Sequence, residues 1–189
     1  LLKDERLKHV DLSSLRVVLS AGEALPTRLY EEWKARTGVE ILDGIGSAEM
    51  FHIYISNRLG DVVPGSLGRL VPGYEAEIVD PSGQRVPDGQ PGRLRVRGGS
   101  TAIGYHADKE QSVRTFQGEW CTTADVLRKD ADGRFWFEGR DDDLLKVSGI
   151  WVSPLEIENA LLAHEAIAEV CVVGREDEEK LVKPCAFVV

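Results

Sequence analysis

The pattern of apolar runs changes near residue 60, and this change constrains the fold more than any other feature of the sequence. Before it, the short apolar runs LRVVLS (15–20) and VEILD (39–43) are typical of buried strands. They flank PTRLYEEWKART (26–37), which begins with proline and stops before a glycine, as helices do. The run SAEMFHIYISN (47–57) is predicted to be a second helix. Alternation of strand and helix indicates one end of a parallel sheet covered by helices.

Beyond residue 60, the short alternating runs YEAEIVD, GRLRVRG and GRFWFEGR are separated by turns rich in Gly, Pro and Asp, which predicts antiparallel strands. A helix is then predicted over 153–164, because Ser153 is a suitable N-cap, Pro154 suits the first helical position and Glu156 can complete a capping box. Two strands follow, at 168–174 and 184–189.

The sequence therefore predicts a mixed α+β fold in two domains. Residues 1–140 form the large domain, with an α/β portion (1–60) that is the end of a parallel α/β subdomain and an antiparallel β-rich portion (61–140). Residues 141–189 are the start of a small α+β domain.

Charge and cysteine content exclude several classes of protein. The net charge of −9 disfavours a general binder of nucleic acid or of anionic membranes, which needs clustered Lys and Arg. No apolar run approaches the roughly 20 residues of a membrane span. The three cysteines lack C-x-x-C spacing, which indicates reduced thiols, each expected to be buried, and a cytoplasmic protein.

Four stretches stand out by their order and spacing: DGIGSAEM, GRLRVRGGSTAIGYHAD, EWCTTADVLRKDADGRFWFEGR and GRDDDLLKVSGIWVSPLEIE. With them the chain resembles the adenylate-forming superfamily of acyl- and aryl-CoA synthetases, luciferases and peptide-synthetase adenylation domains. SAGEALP (20–26), LDGIGSAEMFHIYISN (42–57) and VSGIWVSPLEIE (147–158) are most similar to the benzoate-CoA ligase branch. The resemblance implies that ATP activates an aromatic carboxylate to an acyl-adenylate and that the acyl group passes to coenzyme A.

The segment DGIGSAEM resembles the Asn/Asp-x-Tyr-Gly-x-Thr-Glu motif of that superfamily. The resemblance makes Glu49 the Mg²⁺ carboxylate, and the alternative is a glutamate that favours a helix N-terminus. It makes Asp43, Gly44, Ile45 and Gly46 part of the slot for the nucleotide and the acyl group. Ile45 stands where an aromatic residue is usual. Ala48 stands where the superfamily has a threonine that touches the α-phosphate, and Ser47 is the hydroxyl that could replace it.

Two further sets of residues are assigned by the same resemblance. In SAGEALP, Gly22, Glu23 and Ala24 would border adenine, although an ordinary strand-to-helix turn would have the same composition. His52 follows Glu49 by three residues on an expected shared helix face, so it either lines the aryl pocket with Gly46 or packs in the core.

CTTADV resembles the Thr-Gly-Asp segment of the superfamily, with alanine in place of glycine. The resemblance implies that Asp125 accepts the ribose hydroxyls and that Arg140 is a second ribose or phosphate contact. The alternatives are a turn aspartate and a surface salt bridge. In GRLRVRG, Arg93 replaces a common glutamate on an expected half-exposed strand.

Asp142 stands at the position of the hinge between the large and small domains of the superfamily, although RDDDLL also allows Asp141. Gly149 stands beside the path of the coenzyme A thiol arm, unless it is only a turn glycine. The phosphate loop and the catalytic lysine of the superfamily are absent from the sequence. The chain is therefore expected to be a fragment of a longer ligase and inactive alone. Two rival functions are an enzyme that loads an aryl acid onto a carrier protein and a non-catalytic nucleotide-binding module.

Overall fold

The computed structural model describes residue 2 and residues 4–141, 143–147 and 150–189. After a 3₁₀ helix at Glu5–His9, a first sheet has its described strands in chain order: Val18–Ser20 (β1), Ile41–Gly46 (β2), Ile53–Ser56 (β3) and Arg69–Leu70 (β4). β1 and β2 are parallel, whereas the β2–β3 and β3–β4 pairs are antiparallel. The predicted parallel strand pair is therefore present.

The helix that connects β1 to β2 spans Thr27–Thr37 (α1), close to the predicted range. Gly38 ends it with φ +71°, and its N–H donates to the Lys34 carbonyl at 2.9 Å, as in a left-handed C-terminal cap. Tyr30 and Trp33, one turn apart, are buried against Ile41 of β2. The helix therefore covers one face of the parallel pair.

The predicted helix over 47–57 is wrong. Only a single 3₁₀ turn, Ala48–Met50, forms there, and β3 follows it. Phe51 ends the turn with φ +72° and is 83% exposed, so the chain reverses instead of continuing as a helix. Tyr54 and Ile55 are then buried from a strand.

The second sheet is antiparallel, as predicted. Its described strands are Tyr74–Val79 (β5), Gly92–Gly98 (β6), Phe116–Gln117 (β7), Trp120–Lys129 (β8) and Phe135–Arg140 (β9). The long strand β8 pairs with β6, and its two halves also pair with β7 and β9. A short helix, Lys109–Thr115 (α2), precedes β7.

The C-terminal part begins with a strand pair, Leu145–Val147 (β10) and Ile150–Val152 (β11). The predicted helix follows at Pro154–Leu162 (α3), and Ser153 Oγ caps it by accepting from the Glu156 N–H at 3.4 Å. Ser153 Oγ also donates to the Glu138 carbonyl at 2.5 Å, which ties α3 to β9. The strands Val170–Glu176 (β12) and Val182–Val188 (β13) pair antiparallel. The predicted mixed α+β fold is confirmed.

Two hydrophobic clusters stabilise the first 140 residues. The smaller cluster lies under α1. The larger joins the two sheets and consists of Met50, Tyr54, Ile55, Leu67, Ile78, Leu94, Val96, Cys121, Leu127 and Phe135. Met50 and Tyr54 lie just after Glu49 in the chain and pack with Cys121 of β8. This cluster therefore fixes the DGIGSAEM segment relative to the CTTADV segment.

The cysteines differ from the prediction that each is buried. Cys121 is buried, Cys185 is partly buried and Cys171 is exposed on β12. The error at Cys171 arises because the alternating run around it has one face in contact with solvent. Among the described residues, no helix has the length and apolar character needed to cross a membrane.

Candidate functional site

The segment after β1 lies beside the middle of β2, where the parallel pairing of the two strands ends. Ser20 pairs with Asp43 in the parallel register, and the Leu25 N–H donates to Asp43 Oδ2 at 3.3 Å. Gly22 has φ +100°, which lets the chain turn between these two contacts. The exposed residues 22–24 therefore lie at the carboxyl edge of a parallel strand pair, which is where open α/β sheets bind ligands.

Asp43 is a buried carboxyl at this edge. Burial raises its pKa, and hydrogen bonds from the Leu25 and Gly44 N–H groups and from Ser20 oppose the increase only in part. Its main-chain carbonyl accepts from both the N–H and the Nδ2 of Asn57, at 3.0 Å and 3.1 Å. The carboxyl is therefore held in one place in surroundings that disfavour its charge.

Gly44 and Gly46 permit β3 to approach β2 closely. A Cβ on Gly44 would lie 2.5 Å from the Ile55 oxygen, and one on Gly46 would lie 2.6 Å from the His52 oxygen. The register shifts here by one residue, so that Tyr54 of β3 is bulged opposite the Ile45–Gly46 step. Glycine is therefore required at positions 44 and 46 for close packing within the sheet. The role of Gly44 and Gly46 toward a ligand stays a prediction.

Glu49 lies on the 3₁₀ turn and is held by the segment that follows β6. The Tyr105 hydroxyl donates to Glu49 Oε1 at 2.6 Å, and the Ala102 N–H donates to the Glu49 carbonyl at 2.8 Å. Burial alone would raise the pKa of Glu49. The hydrogen bonds that the carboxylate accepts, from the Tyr105 hydroxyl and from its own N–H, outweigh burial and lower the pKa of Glu49 below its usual value. Glu49 is therefore an ionised, oriented carboxylate.

His52 is exposed and follows the reversal at Phe51. The expected shared helix face with Glu49 is wrong because no helix continues past Met50. The alternative of a packed core histidine is wrong as well, since the side chain is not buried. Its role in an aryl pocket stays a prediction.

Asp125 lies in an irregularity of β8. Arg95 and Arg93 of β6, two residues apart, pair with Thr122 and Val126 of β8, four residues apart. The intervening residues of β8 bulge out of the ladder, and the Asp125 N–H donates to Thr123 Oγ1 at 3.1 Å. Bulges of this kind redirect side chains and are common beside active sites. The TTAD segment is therefore built to orient the side chain of Asp125.

Arg140 is the register partner of Asp125 on β9. Arg140 Nη1 lies 3.9 Å from Asp125 Oδ1, and the side chains are 49% and 15% exposed respectively. Arg140 therefore does form a salt bridge, as the alternative interpretation expected. Its partner, however, is Asp125, which is the other residue predicted to contact the ribose. The structure brings these two residues together.

The segments of Glu49 and Asp125 meet at a buried pair, Tyr54 and Cys121, both with 0% exposure. Burial raises the pKa of Cys121 to about 12, and the charges of Glu49 and Asp125 contribute to the increase. Burial also raises the pKa of Tyr54, with Asp125, Cys121 and Glu49 adding to it. Both carboxylates therefore act on the same buried region, although they are far apart in sequence.

Asp142 and Gly149 lie outside the described residues. The neighbouring Asp141 is described: its N–H donates to the Ala124 carbonyl at 2.7 Å, beside Asp125, and its carboxylate accepts from Arg93 of β6. The segment before the predicted hinge is therefore tied to the Asp125 bulge.

Comparison with known proteins decides the family. Residues 1–106 match the AMP-binding enzyme family, and residues 156–189 match the AMP-binding enzyme C-terminal domain. The chain belongs to the AMP-binding enzyme family. The predicted resemblance to adenylate-forming enzymes is confirmed.

Relatives of this AMP-binding enzyme chain include a benzoate–CoA ligase of Thauera aromatica, 50% identical over 93% of this chain and 33% of the relative. A solved anthranilate CoA ligase in complex with anthranoyl-AMP is 50% identical, with a TM-score of 0.92 over 99% of this chain and 36% of its own. A solved benzoate CoA ligase of Burkholderia xenovorans is 48% identical, with a TM-score of 0.86 over 93% of this chain and 35% of its own. The chain spans about a third of the length of these relatives.

Sequence reasoning missed Tyr105 and Tyr54 in this AMP-binding enzyme. Tyr105 lies in a quoted motif, yet its contact with Glu49 joins residues 56 positions apart, and no local pattern indicates it. Tyr54 lies in the run 47–57, for which the sequence predicts a helix, and a helix gives no indication of its relation to β2 and β8. For Tyr54, the preceding glycine pair was an available signal, since adjacent strands approach closely beside glycine.

Among the described residues, no group of three or more His, Cys, Asp and Glu side chains could hold a metal ion. Mg²⁺ does not require such a group, because it usually binds through one or two carboxylates together with substrate phosphates and water. Glu49 is ionised and offers one carboxylate. Its chemistry therefore fits Mg²⁺ that arrives with a nucleotide.

Proposed function

We propose that this chain is part of an aryl-acid CoA ligase that acts on benzoate or a related aromatic carboxylate. The observation that carries the proposal is that the buried cluster of Met50, Tyr54 and Cys121 joins the turn of Glu49 to strand β8, on which Asp125 pairs with Arg140 of β9. The β2–β3 and β6–β8 strand pairs that form this region each contain a bulge. The similarity to benzoate and anthranilate CoA ligases supports the aromatic substrate and coenzyme A.

The proposed reaction has two steps. A carboxylate oxygen of the aromatic acid attacks the α-phosphorus of ATP, the bond to the β-phosphate oxygen breaks, and pyrophosphate leaves with the acyl-adenylate formed. The thiolate of coenzyme A then attacks the acyl carbonyl, the carbonyl–phosphate bond breaks, and AMP leaves. AMP leaves from the acyl-adenylate far more easily than an oxygen atom would leave from the unactivated carboxylate. The enzyme's task is therefore chiefly to orient the reactants and to balance the charge of the phosphates.

In this proposal Glu49 is the residue that would hold a Mg²⁺ ion arriving with ATP. Bound Mg²⁺ would neutralise negative charge on the phosphate oxygens. The Glu49 side chain contributes an ionised carboxylate that hydrogen bonds already orient. Ser47, which adjoins this carboxylate, is the hydroxyl proposed to serve the α-phosphate in place of the threonine that Ala48 replaces.

Asp125 is proposed to accept hydrogen bonds from the ribose hydroxyls. Its position in the bulge fixes the carboxylate relative to β8, and a fixed acceptor binds a diol without losing side-chain entropy. Arg140, 3.9 Å from Asp125, supplies a positive charge for the ribose or phosphate. Residues 22–24, together with Asp43, Gly44 and Ile45, are proposed to border the base.

For the acyl group, we propose that Gly46 and His52 border the aryl ring. Asp142 is proposed as the hinge between residues 1–140 and 141–189, and Gly149 as the residue beside the thiol arm of coenzyme A. A hinge that follows Asp141 would move β10 to β13 against the Asp125 bulge. A cytoplasmic location is proposed, since the three cysteines are free thiols, as is usual in reducing compartments.

The test uses the protein as its gene encodes it, with benzoate-dependent release of pyrophosphate and AMP as the readouts. Glu49→Gln is expected to lower the adenylation rate at least roughly 100-fold, because an oriented charged group in such a site contributes 10²–10³ in rate. Asp125→Ala is expected to weaken ATP binding measured by calorimetry. Glu165 is exposed, and Glu165→Gln is the control, which should leave the adenylation rate and ATP binding unchanged.

Release of pyrophosphate without release of AMP on adding coenzyme A would favour transfer to a carrier protein. Nucleotide binding without any pyrophosphate release, with every aromatic acid tried, would reject the ligase function. Unchanged adenylation in Glu49→Gln would remove the metal role from that residue.

A further inference from the structure

The segment 100–105, which follows β6, forms three hydrogen bonds to the turn that carries Glu49. The Ala102 N–H donates to the Glu49 carbonyl at 2.8 Å, and Ser100 Oγ donates to the Met50 carbonyl at 2.7 Å. The Tyr105 hydroxyl then donates to the Glu49 carboxylate at 2.6 Å. The first two contacts fix the main chain of the turn, and the third is the one that fixes the carboxylate.

Tyr105 is itself held in place. Its ring packs on Phe116 of β7 with centroids 5.5 Å apart, and its N–H donates to Ser112 Oγ at 2.8 Å. Ser112 lies on α2 and donates from the same oxygen to the Asp108 carbonyl at 2.6 Å. The phenol therefore reaches Glu49 from a rigid support and not from a free side chain.

A glutamate on a surface turn has three rotatable side-chain bonds, so an unsupported carboxylate would have to be ordered each time a metal binds. A hydrogen bond to one carboxylate oxygen restricts that rotation and leaves the carboxylate ionised. Partners of this kind typically change metal affinity by about 10- to 100-fold. The hydrogen bond from Tyr105 has the geometry for this effect.

We propose that Tyr105 is a positioning residue for Glu49, whose phenol holds the carboxylate in the orientation that binds the Mg²⁺ of the nucleotide. The proposal rests on the metal role of Glu49 proposed above. It assigns Tyr105 a part in metal affinity, although the tyrosine itself need not touch the metal or the reacting atoms.

The test compares Tyr105→Phe with Tyr74→Phe. The first keeps the ring on Phe116 and loses only the hydroxyl that reaches Glu49. The second also loses one phenol hydroxyl, which lies 2.9 Å from Ser100 Oγ in the same segment, and leaves the bond to Glu49 intact. The gene-encoded protein is titrated with Mn²⁺ in the presence of ATP, and free Mn²⁺ is followed by electron paramagnetic resonance. The Mg²⁺ dependence of pyrophosphate release is measured in parallel.

Tyr105→Phe is expected to raise the half-saturating metal concentration by about 10- to 100-fold, with ATP affinity in the absence of metal unchanged. Tyr74→Phe is expected to leave the metal dependence as it is. Adding Tyr105→Phe to Glu49→Gln should cause no further loss of metal binding.

An unchanged metal dependence in Tyr105→Phe, while Glu49→Gln abolishes it, would overturn the positioning role and leave the metal role of Glu49 intact. An equal shift in Tyr74→Phe would also overturn it, since the effect would then belong to the segment as a whole. An unchanged metal dependence in Glu49→Gln would overturn both proposals.

Discussion

Arg93 of β6 contacts the carboxylate of Asp141, the residue that follows β9. This ion pair spans two strands of one sheet that both pair with β8 and do not pair with each other. The family resemblance places a glutamate at position 93, and a glutamate there could not form an ion pair with an aspartate.

Replacing Arg93 by alanine should destabilise the protein only slightly. The two side chains are 45% and 44% exposed, so water and salt screen their attraction, and such pairs contribute about 0–1 kcal/mol. Arg93→Glu should cost more than Arg93→Ala at low ionic strength, because it places two negative charges together. Urea unfolding with and without added salt measures this difference. A difference that does not shrink in salt would show that the effect is not electrostatic.

Gly68 should not tolerate a side chain. It has φ +83°, and a Cβ would overlap the backbone of Ser56 and Asn57 on the adjacent strand. Gly83 has nearly the same backbone, φ +81°, but has open space around the Cβ position, so Gly83→Ala is the matched control. Gly83→Ala should cost the strain alone, about 1–3 kcal/mol, and Gly68→Ala should cost clearly more. Equal losses in thermal or urea unfolding would show that the contact at Gly68 relaxes without cost.

The three cysteines should differ in reactivity. Cys171 is exposed, whereas Cys121 is buried and its pKa is raised to about 12, so it holds little thiolate at neutral pH. A thiol reagent at mildly alkaline pH should modify Cys171 rapidly and Cys121 only after unfolding. Cys171→Ser identifies the fast phase. Fast modification of Cys121 in the folded protein, located by peptide mass, would contradict the packing described for β8.

Asp43 and Glu40 should give opposite dependences of stability on pH. Burial raises the pKa of Asp43 above the unfolded value of 3.8, so its contribution is fully present below that pH and is lost as pH rises through the folded pKa. Glu40 accepts from the Gly60 N–H and from Lys34 Nζ, each at 2.8 Å, and these bonds lower its pKa. Its contribution is present above the unfolded value of 4.5 and is lost as pH falls through the folded pKa.

The measurement is urea unfolding of Asp43→Asn and Glu40→Gln from about pH 3 to about pH 7. Relative to the unmodified protein, Asp43→Asn should gain stability as pH rises above 3.8. Relative to the unmodified protein, Glu40→Gln should lose stability as pH rises toward 4.5, because Glu40 ionises in the folded unmodified protein below that pH. Parallel curves for the two variants would contradict the opposite pKa shifts.

Local signals explain which helices were predictable from the sequence. Gly38 closes α1, and Ser153 with Pro154 opens α3, so each helix carries its own boundary. The run 47–57 carries no such signal. Its apolar residues fit a helix or a strand equally well, and the reversal at Phe51 depends on packing of the turn against residues 100–105.

In the candidate site, too, some features are indicated by local sequence and others depend on contacts between distant strands. Glu49, Asp125 and Arg140 are assigned to the site because the short motifs that contain them resemble those of the adenylate-forming superfamily, and their roles stay predictions. The bulge that orients Asp125 and the phenol that reaches Glu49 are set by pairing between distant strands. Such contacts depend on register, which a single sequence specifies only through the whole sheet.

The parallel strand pair and the antiparallel sheet each have a tryptophan in a distinct environment. Trp33 is buried on the inner face of α1, whereas the guanidinium groups of Arg95 and Arg97 both lie over the indole of Trp120, 4.9 Å and 4.8 Å from its ring centre. The fluorescence of these two indoles is therefore sensitive to different events: desolvation under a helix in one case, and separation of two cations from an aromatic face in the other. Once the other two tryptophans of the sequence, Trp136 and Trp151, are replaced by phenylalanine, these two indoles are optical probes through which loosening of the parallel strand pair can be distinguished from loosening of the antiparallel sheet.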